Sequence, residues 1–140
     1  LVGGLSTFCG VIWGHISDRL GRSRGAALAY LVLGLSYMVY ALIKSEFGFY
    51  LSAVMFGLTA WSIPTIMAAA AGDFVGPRLA PAGLGFITLF FGIGQALGPA
   101  LGGYLADVSR SFTVPFLVAA GISLAGMVAS LFLKKPGTAA

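Results

Sequence analysis

Two long runs without a single Asp, Glu, Lys or Arg, Leu1 to Ile16 and Ala26 to Ile43, are separated by one short stretch that holds Asp18, Arg19, Arg22 and Arg24. Three arginines within six positions cannot lie in hydrocarbon, where each costs roughly 2.5–3.5 kcal/mol at mid-span on insertion scales. They must sit in water or among lipid headgroups. Gly14 to Arg24 is therefore read as a tight loop between two membrane helices, and the rest of the chain is oriented from it.

Composition agrees with this reading. Apolar residues make up 59% of the chain and charged ones 9%, with a mean hydropathy of +0.99. A soluble domain carries about 25% charged residues, so a water-soluble fold is excluded. The net charge of +4 and the pI of about 9.6 do not indicate a nucleic-acid module, because the basic residues lie singly or in short groups between apolar runs. Loop charges that set membrane topology are distributed in that way. A lone cysteine, Cys9, permits no internal disulfide and is expected as a buried apolar thiol.

Apolar runs near the length of a crossing predict an all-α, polytopic helix bundle with five spans. They cover residues 1–17, 26–43, 48–72, 83–106 and 113–133. The first is short, and the chain opens on Leu1-Val2-Gly3-Gly4 with neither a start methionine nor a basic leader, so this span is read as a helix cut partway. The linkers are Lys44-Ser45-Glu46, a polar, proline-bearing loop Asp73 to Pro81, and Asp107 to Ser111, with Lys134-Lys135-Pro136 at the end of the last span. Pro115 falls in the first turn of the fifth span, where a missing N–H is harmless. Linkers this short make neighbouring helices antiparallel. One side of the membrane then holds Arg19, Arg22, Arg24, Arg78, Lys134 and Lys135, and the other Lys44 and Arg110. The richer side is expected to be cytoplasmic, which places the carboxy-terminus on the cytoplasmic side of the plasma (inner) membrane. Phe47, Phe49 and Tyr50 on the outer side, and Trp13 and Tyr30 on the inner, suit interfacial aromatic belts.

The fourth span carries the most information. Gly94, Gly98 and Gly102 recur every four residues and form a smooth ridge against which another helix can pack. Pro99 removes its own helical hydrogen bond to the carbonyl of Gln95 and is expected to kink or loosen the helix. Gln95, the sole carboxamide in the chain, lies near mid-membrane, where it must bond a neighbouring helix or meet a solute. In the third span Pro64 frees the carbonyl of Ala60, with Trp61, Ser62 and Thr65 nearby, so these residues are candidates for a solute cavity or for plain bundle packing.

Gly14-x-x-x-Asp18-Arg19-x-Gly21-Arg22 resembles the loop motif of the major facilitator superfamily (MFS) that joins the second and third helices and, in weaker form, the eighth and ninth. Gly94-x-x-x-Gly98-Pro99-x-x-Gly102-Gly103 is similar to the element of that family's fifth helix, echoed in the eleventh. The two stand three spans apart, as the family requires. The amino-terminal half usually has an arginine in its fourth helix; residues 49–71 have none, and a short tail follows the last span. The resemblance therefore implies helices eight (partial) to twelve, a carboxy-terminal portion similar to an uncharacterised prokaryotic subgroup. An amino-terminal-half fragment of an efflux antiporter is the alternative placement.

What the resemblance implies is a secondary transporter moving a small solute by alternating access. The third and fourth spans would line the cavity, the second and fifth face lipid, and the first and fourth meet the missing amino-terminal half. Asp18 would pair near the end of a helix in that half. Arg19 and Arg22 would tie down the loop and contact headgroups, and Gly14 and Gly21 would allow close approach and a tight turn. His15 departs from the usual small or apolar residue and is read as an interfacial histidine. Proton coupling, if present, would reside in the absent part or at His15. A small oligomerising membrane protein without transport is the competing class. No catalytic, metal or cofactor site is expected: there is no histidine cluster, and the Ser and Thr residues have no base partner.

Overall fold

In hydrocarbon every backbone N–H and C=O must be paired within the segment itself, so apolar runs of this length are driven into helices. The computed structural model describes residues 2–133, with side chains from Cys9 onward. It contains α1 (Val2–Leu20), α2 (Arg22–Leu42), α3 (Glu46–Thr59), α4 (Ser62–Ser109) and α5 (Thr113–Leu131). Three stretches are long and apolar enough to cross a membrane: Arg22–Leu42, Thr113–Leu131 and the composite Glu46–Ser109, which holds the expected third and fourth spans. α1, the span expected to be short, is not among them. The Lys134–Ala140 tail, and with it two of the six basic residues used for orientation, lies outside the described residues.

Small residues set the helix spacing. Gly21 joins α1 to α2 alone, at φ +91°, a conformation that only glycine adopts without strain. One turn later Gly25 lies so close to α1 that an added Cβ would stand 2.5 Å from Ser17 Cβ. α2 then packs on α5 through Gly34 against Leu124, Gly126 against the Tyr30 ring, and a hydrogen bond from Ser23 Oγ to the Ser130 carbonyl at 2.6 Å. α3 returns along α2 after Ser45 caps its first turn by accepting from the Gly48 N–H, and Ser52 Oγ donates to the Ser36 carbonyl at 2.8 Å. The core is Ala26, Ala29 and Ile66, covered by Trp13, Ile63 and Met67. Cys9 is fully buried.

Several expectations are corrected. The third span is interrupted at Ala60–Trp61, because Pro64 cannot donate to the Ala60 carbonyl and its ring crowds that turn. The break is stitched locally: Trp13 Nε1 donates to the Leu58 carbonyl at 2.7 Å, and Ser62 Oγ to that of Thr59 at 2.5 Å. The Asp73–Pro81 stretch is helical rather than a loop, broken only at Gly76 (φ 78°, ψ 165°), with Pro77 at the first position of the helix that resumes. Pro99 leaves the φ/ψ of α4 helical. Trp13 and Tyr30 lie against the core and α5, not in a belt, whereas Phe47, Phe49 and Tyr50 are exposed at the start of α3. α2, expected to face lipid, is the most enclosed helix; among its large apolar side chains the stripe Leu28, Leu35 and Leu42 stays outward.

The Gly25 contact gives a stability prediction. In the full-length protein Gly25→Ala forces α1 and α2 apart and costs about 1–3 kcal/mol, as overpacking does. Gly121→Ala, where no atom lies within 4 Å, is neutral or slightly stabilising because alanine is the better helix former. Thermal unfolding in detergent checks both. Equal melting temperatures for the two variants would show that the α1–α2 approach does not limit stability.

Candidate functional site

Two groups of residues carry polar chemistry, one at the Gly21 turn and one at the α3–α4 break. At the turn, Arg22 is the hub. Its Nη1 lies 2.5 Å from Asp18 Oδ1 and donates to Ser17 Oγ at 2.7 Å, while its Nε donates to Asp73 Oδ2 at 2.8 Å. Ser17 is buried and in turn donates to the Gly14 carbonyl at 3.1 Å. The hydrogen bond to Asp73 raises the Arg22 pKa above its ordinary value against the opposing effect of burial, with the fields of Asp18 and Asp73 adding to it. Arg22 is therefore cationic at any cellular pH. The cluster surrounds a cavity of about 320 Å3 that Arg24, Phe74 and Leu133 also line.

The structure thus brings Asp18, Gly21 and Arg22 together and leaves Arg19 exposed, with no bond among the described residues. An added Cβ at Gly14 would meet nothing within 4 Å, so the close approach expected there occurs at Gly25. Asp18 pairs with Arg22 four residues on, and its expected contact with a helix of the other half lies outside these residues. His15 is exposed. The sequence reading missed Asp73 as a partner. The signal was available: Asp18 and Asp73 are two of only four acidic residues, and the topology puts both at the arginine-rich end.

At the break, a cavity of about 410 Å3 opens between α2, the α3–α4 junction and the second part of α4. Gln95, Trp61, Pro64 and Ala60 line it, with Tyr30, Tyr37, Phe56 and Phe91 completing the wall. Gln95 and Trp61 therefore line one cavity. Ser62 and Thr65 do not join them. Ser62 is buried with its hydroxyl on Thr59, and Thr65 donates to the Trp61 carbonyl at 2.8 Å on another face, near Gly10. The aromatic wall was not anticipated. Phe91 could have been found, since it lies four residues before Gln95 and on the same helical face.

The glycine ridge is the third element. Added Cβ atoms at Gly94, Gly98, Gly102 and Gly103 would meet nothing within 4 Å, so among the described residues no helix fills the ridge. No residue from Gly72 to Leu105 is buried. Pro99 turns the other way, into an aromatic cavity between α2, α3 and α5.

Comparison with known proteins places this geometry. The chain is similar to multidrug resistance protein 2 of Bacillus subtilis (strain 168), with 28% identity over 122 residues, 87% of this chain and 30% of the relative. It is similar also to the class H tetracycline resistance protein of Pasteurella multocida, with 30% identity over 109 residues, 78% of this chain and 26% of the relative. Monocarboxylate transporter 13 of Rattus norvegicus matches at 29% over 93 residues, 66% of this chain and 22% of that protein. The chain spans about a fifth to a third of the length of such curated relatives. No solved structure matches. The family description Major Facilitator Superfamily matches residues 1–140, the whole sequence. This integral membrane chain belongs to the Major Facilitator Superfamily.

Proposed function

We propose that the full-length protein carrying this chain is a secondary transporter that moves a small solute by alternating access, and that residues 1–140 supply helices eight to twelve of it. The observation that carries the reading is the cavity at the α3–α4 break, where the sole carboxamide of the chain, Gln95, faces Trp61 across an interrupted helix. Solute sites in transporters are built near the membrane midplane from discontinuous helices. The absence of arginine from residues 49–71 supports the carboxy-terminal placement. Among the described residues the end holding Arg19, Arg22, Arg24 and Arg78, against Lys44 and Arg110, supports a cytoplasmic Gly21 turn in the plasma (inner) membrane.

In this reading Gly14, Asp18, Arg19, Gly21 and Arg22 form a gating loop, and the ridge at Gly94, Gly98 and Gly102 seats a helix of the amino-terminal half. Open glycines on a membrane helix support close backbone approach by another helix. The solute meets Gln95 by hydrogen bonding and the surrounding rings by apolar contact. The names of the relatives supply two probes, tetracycline and a monocarboxylate.

Two predictions test this. With whichever probe the full-length protein transports, Gln95→Leu raises KM about two- to tenfold, the loss of one hydrogen bond of about 0.5–1.5 kcal/mol, and leaves membrane insertion unchanged. An unaltered KM would remove Gln95 from the solute path, and no transport of any solute in a broad screen would remove the transporter reading. Arg22→Gln slows turnover about fivefold or more at unchanged expression, the low end of conformational couplings. The reversed pair, Arg22→Asp with Asp73→Arg, recovers part of that rate. Uptake kinetics identical to the parent in Arg22→Gln would show the cluster to be a topology anchor alone.

A further inference from the structure

The end of the bundle opposite the Arg22 cluster holds a site that the transport reading does not use. There the α2–α3 and α4–α5 turns enclose a cavity of about 580 Å3 whose rim includes Lys44, Glu46, Tyr50 and Ser111. Lys44 and Glu46 are opposite charges two positions apart, yet neither forms an ion pair among the described residues. Tyr40 and Phe49 line this cavity and also wall a second one, of about 590 Å3, that continues inward past Tyr37, Phe56, Pro99 and Phe116. The inner cavity is lined by rings and aliphatic carbon. Tyr40 stacks on Phe116 with ring centroids 4.0 Å apart, and the Ser52 hydroxyl is already bonded to the Ser36 carbonyl.

The dimensions and polarity of this pair of cavities narrow the ligand. Each is within the about 300–1,000 Å3 range of small-molecule sites. From Lys44, two residues past the end of α2, back to Tyr37 is seven residues, and from Glu46 to Phe56 ten residues of α3, so the apolar trough reaches about 10–15 Å below the charged rim at about 1.5 Å per residue. That is about half of a hydrocarbon core roughly 30 Å thick, one leaflet. A charged mouth over a leaflet-deep apolar trough matches a membrane amphiphile and not a water-borne solute, which could not wet the trough.

We propose that this site holds one phospholipid with a zwitterionic headgroup, its phosphate against Lys44, its ammonium against Glu46, and one acyl chain laid along the wall that Tyr40, Phe49 and Phe116 form. The two unpaired charges then each gain a partner at the headgroup level. An anionic headgroup would satisfy Lys44 but face Glu46 with like charge. The trough ends at Tyr37 and Phe56, which also line the Gln95 cavity, so the lipid tail abuts the proposed solute site. The inference rests on the membrane-spanning fold and is independent of transport.

The test is native mass spectrometry of the detergent-purified full-length protein offered equal amounts of phosphatidylethanolamine and phosphatidylglycerol with identical acyl chains. One phosphatidylethanolamine is retained per protein, at least fivefold over phosphatidylglycerol, after loosely held lipid is stripped. Lys44→Gln and Glu46→Gln, both at exposed positions, each reduce that preference at least threefold. Ala53→Trp, which fills the trough, removes retention of the lipid. Equal retention of the two lipids, or unchanged preference in both charge variants, overturns the proposal even if Ala53→Trp fails to fold. Ala53→Trp that folds, keeps the lipid and raises the KM for a transported solute also overturns it, since the trough would then be a solute path.

Discussion

Hydrocarbon offers no hydrogen-bond partner to a broken helix, and the rest of this structure follows from how the chain meets that demand. An unpaired backbone group at membrane depth costs several kcal/mol. Beside the break at Ala60–Trp61, side-chain donors reach two neighbouring carbonyls, Trp13 from α1 on Leu58 and Ser62 from the next turn on Thr59. Trp13 is thereby drawn out of the interface and into the bundle, where it also covers Ala26, Ala29 and Ile66. Pro64 thus ends α3 and lines the opening beside Gln95, and Trp13 ties α1 to the same turn.

The same residue type is used in two opposite ways on different helices. Apolar helices gain little from burial when lipid is equally apolar, so they associate through close van der Waals contact over small residues. Gly25, Gly34 and Gly126 are filled by Ser17, Leu124 and Tyr30 within the chain. Gly94, Gly98 and Gly102 recur every four residues and, among the described residues, have nothing against them. Added bulk at the first set clashes with side chains already in place. At the second set it would be felt only by a helix from outside these residues, and the proposed amino-terminal half is such a source.

The crossings were legible because hydropathy and charge placement respond to the bilayer directly, with little dependence on detailed packing. Where the chain turns was less legible. Asp73 to Pro81 has the composition of a loop, two prolines, a glycine and charges, but proline is as compatible with the first turn of a helix as with a loop. Only Gly76 had to leave the helix. At the candidate sites the motif residues were singled out by their spacing and Gln95 as the sole carboxamide of the chain. The local bonds of Ser62 and Thr65 could not be read that way, because each hydroxyl satisfies a carbonyl of its own segment, which polarity alone does not reveal. The Arg22–Asp73 pair spans 51 residues, and only topology brings its members to one end.

That pair has a further property when set beside Gly76. Asp73 lies three residues before the break in α4, so Arg22 holds the α1–α2 turn against the segment where α4 changes direction. Asp18 and Asp73 are both substantially solvent-accessible, and ion pairs of that kind are worth about 1 kcal/mol or less each. A latch of this strength contributes little to holding the fold together. It is suited to the proposed gating role, in which the energies that separate conformations are themselves about 1–3 kcal/mol and a contact must be broken once per cycle. A deeply buried pair at the same position would resist that change, because removing either partner would strand a charge at a cost of about 3–5 kcal/mol. The partial exposure of the cluster is therefore part of what fits it to a moving joint.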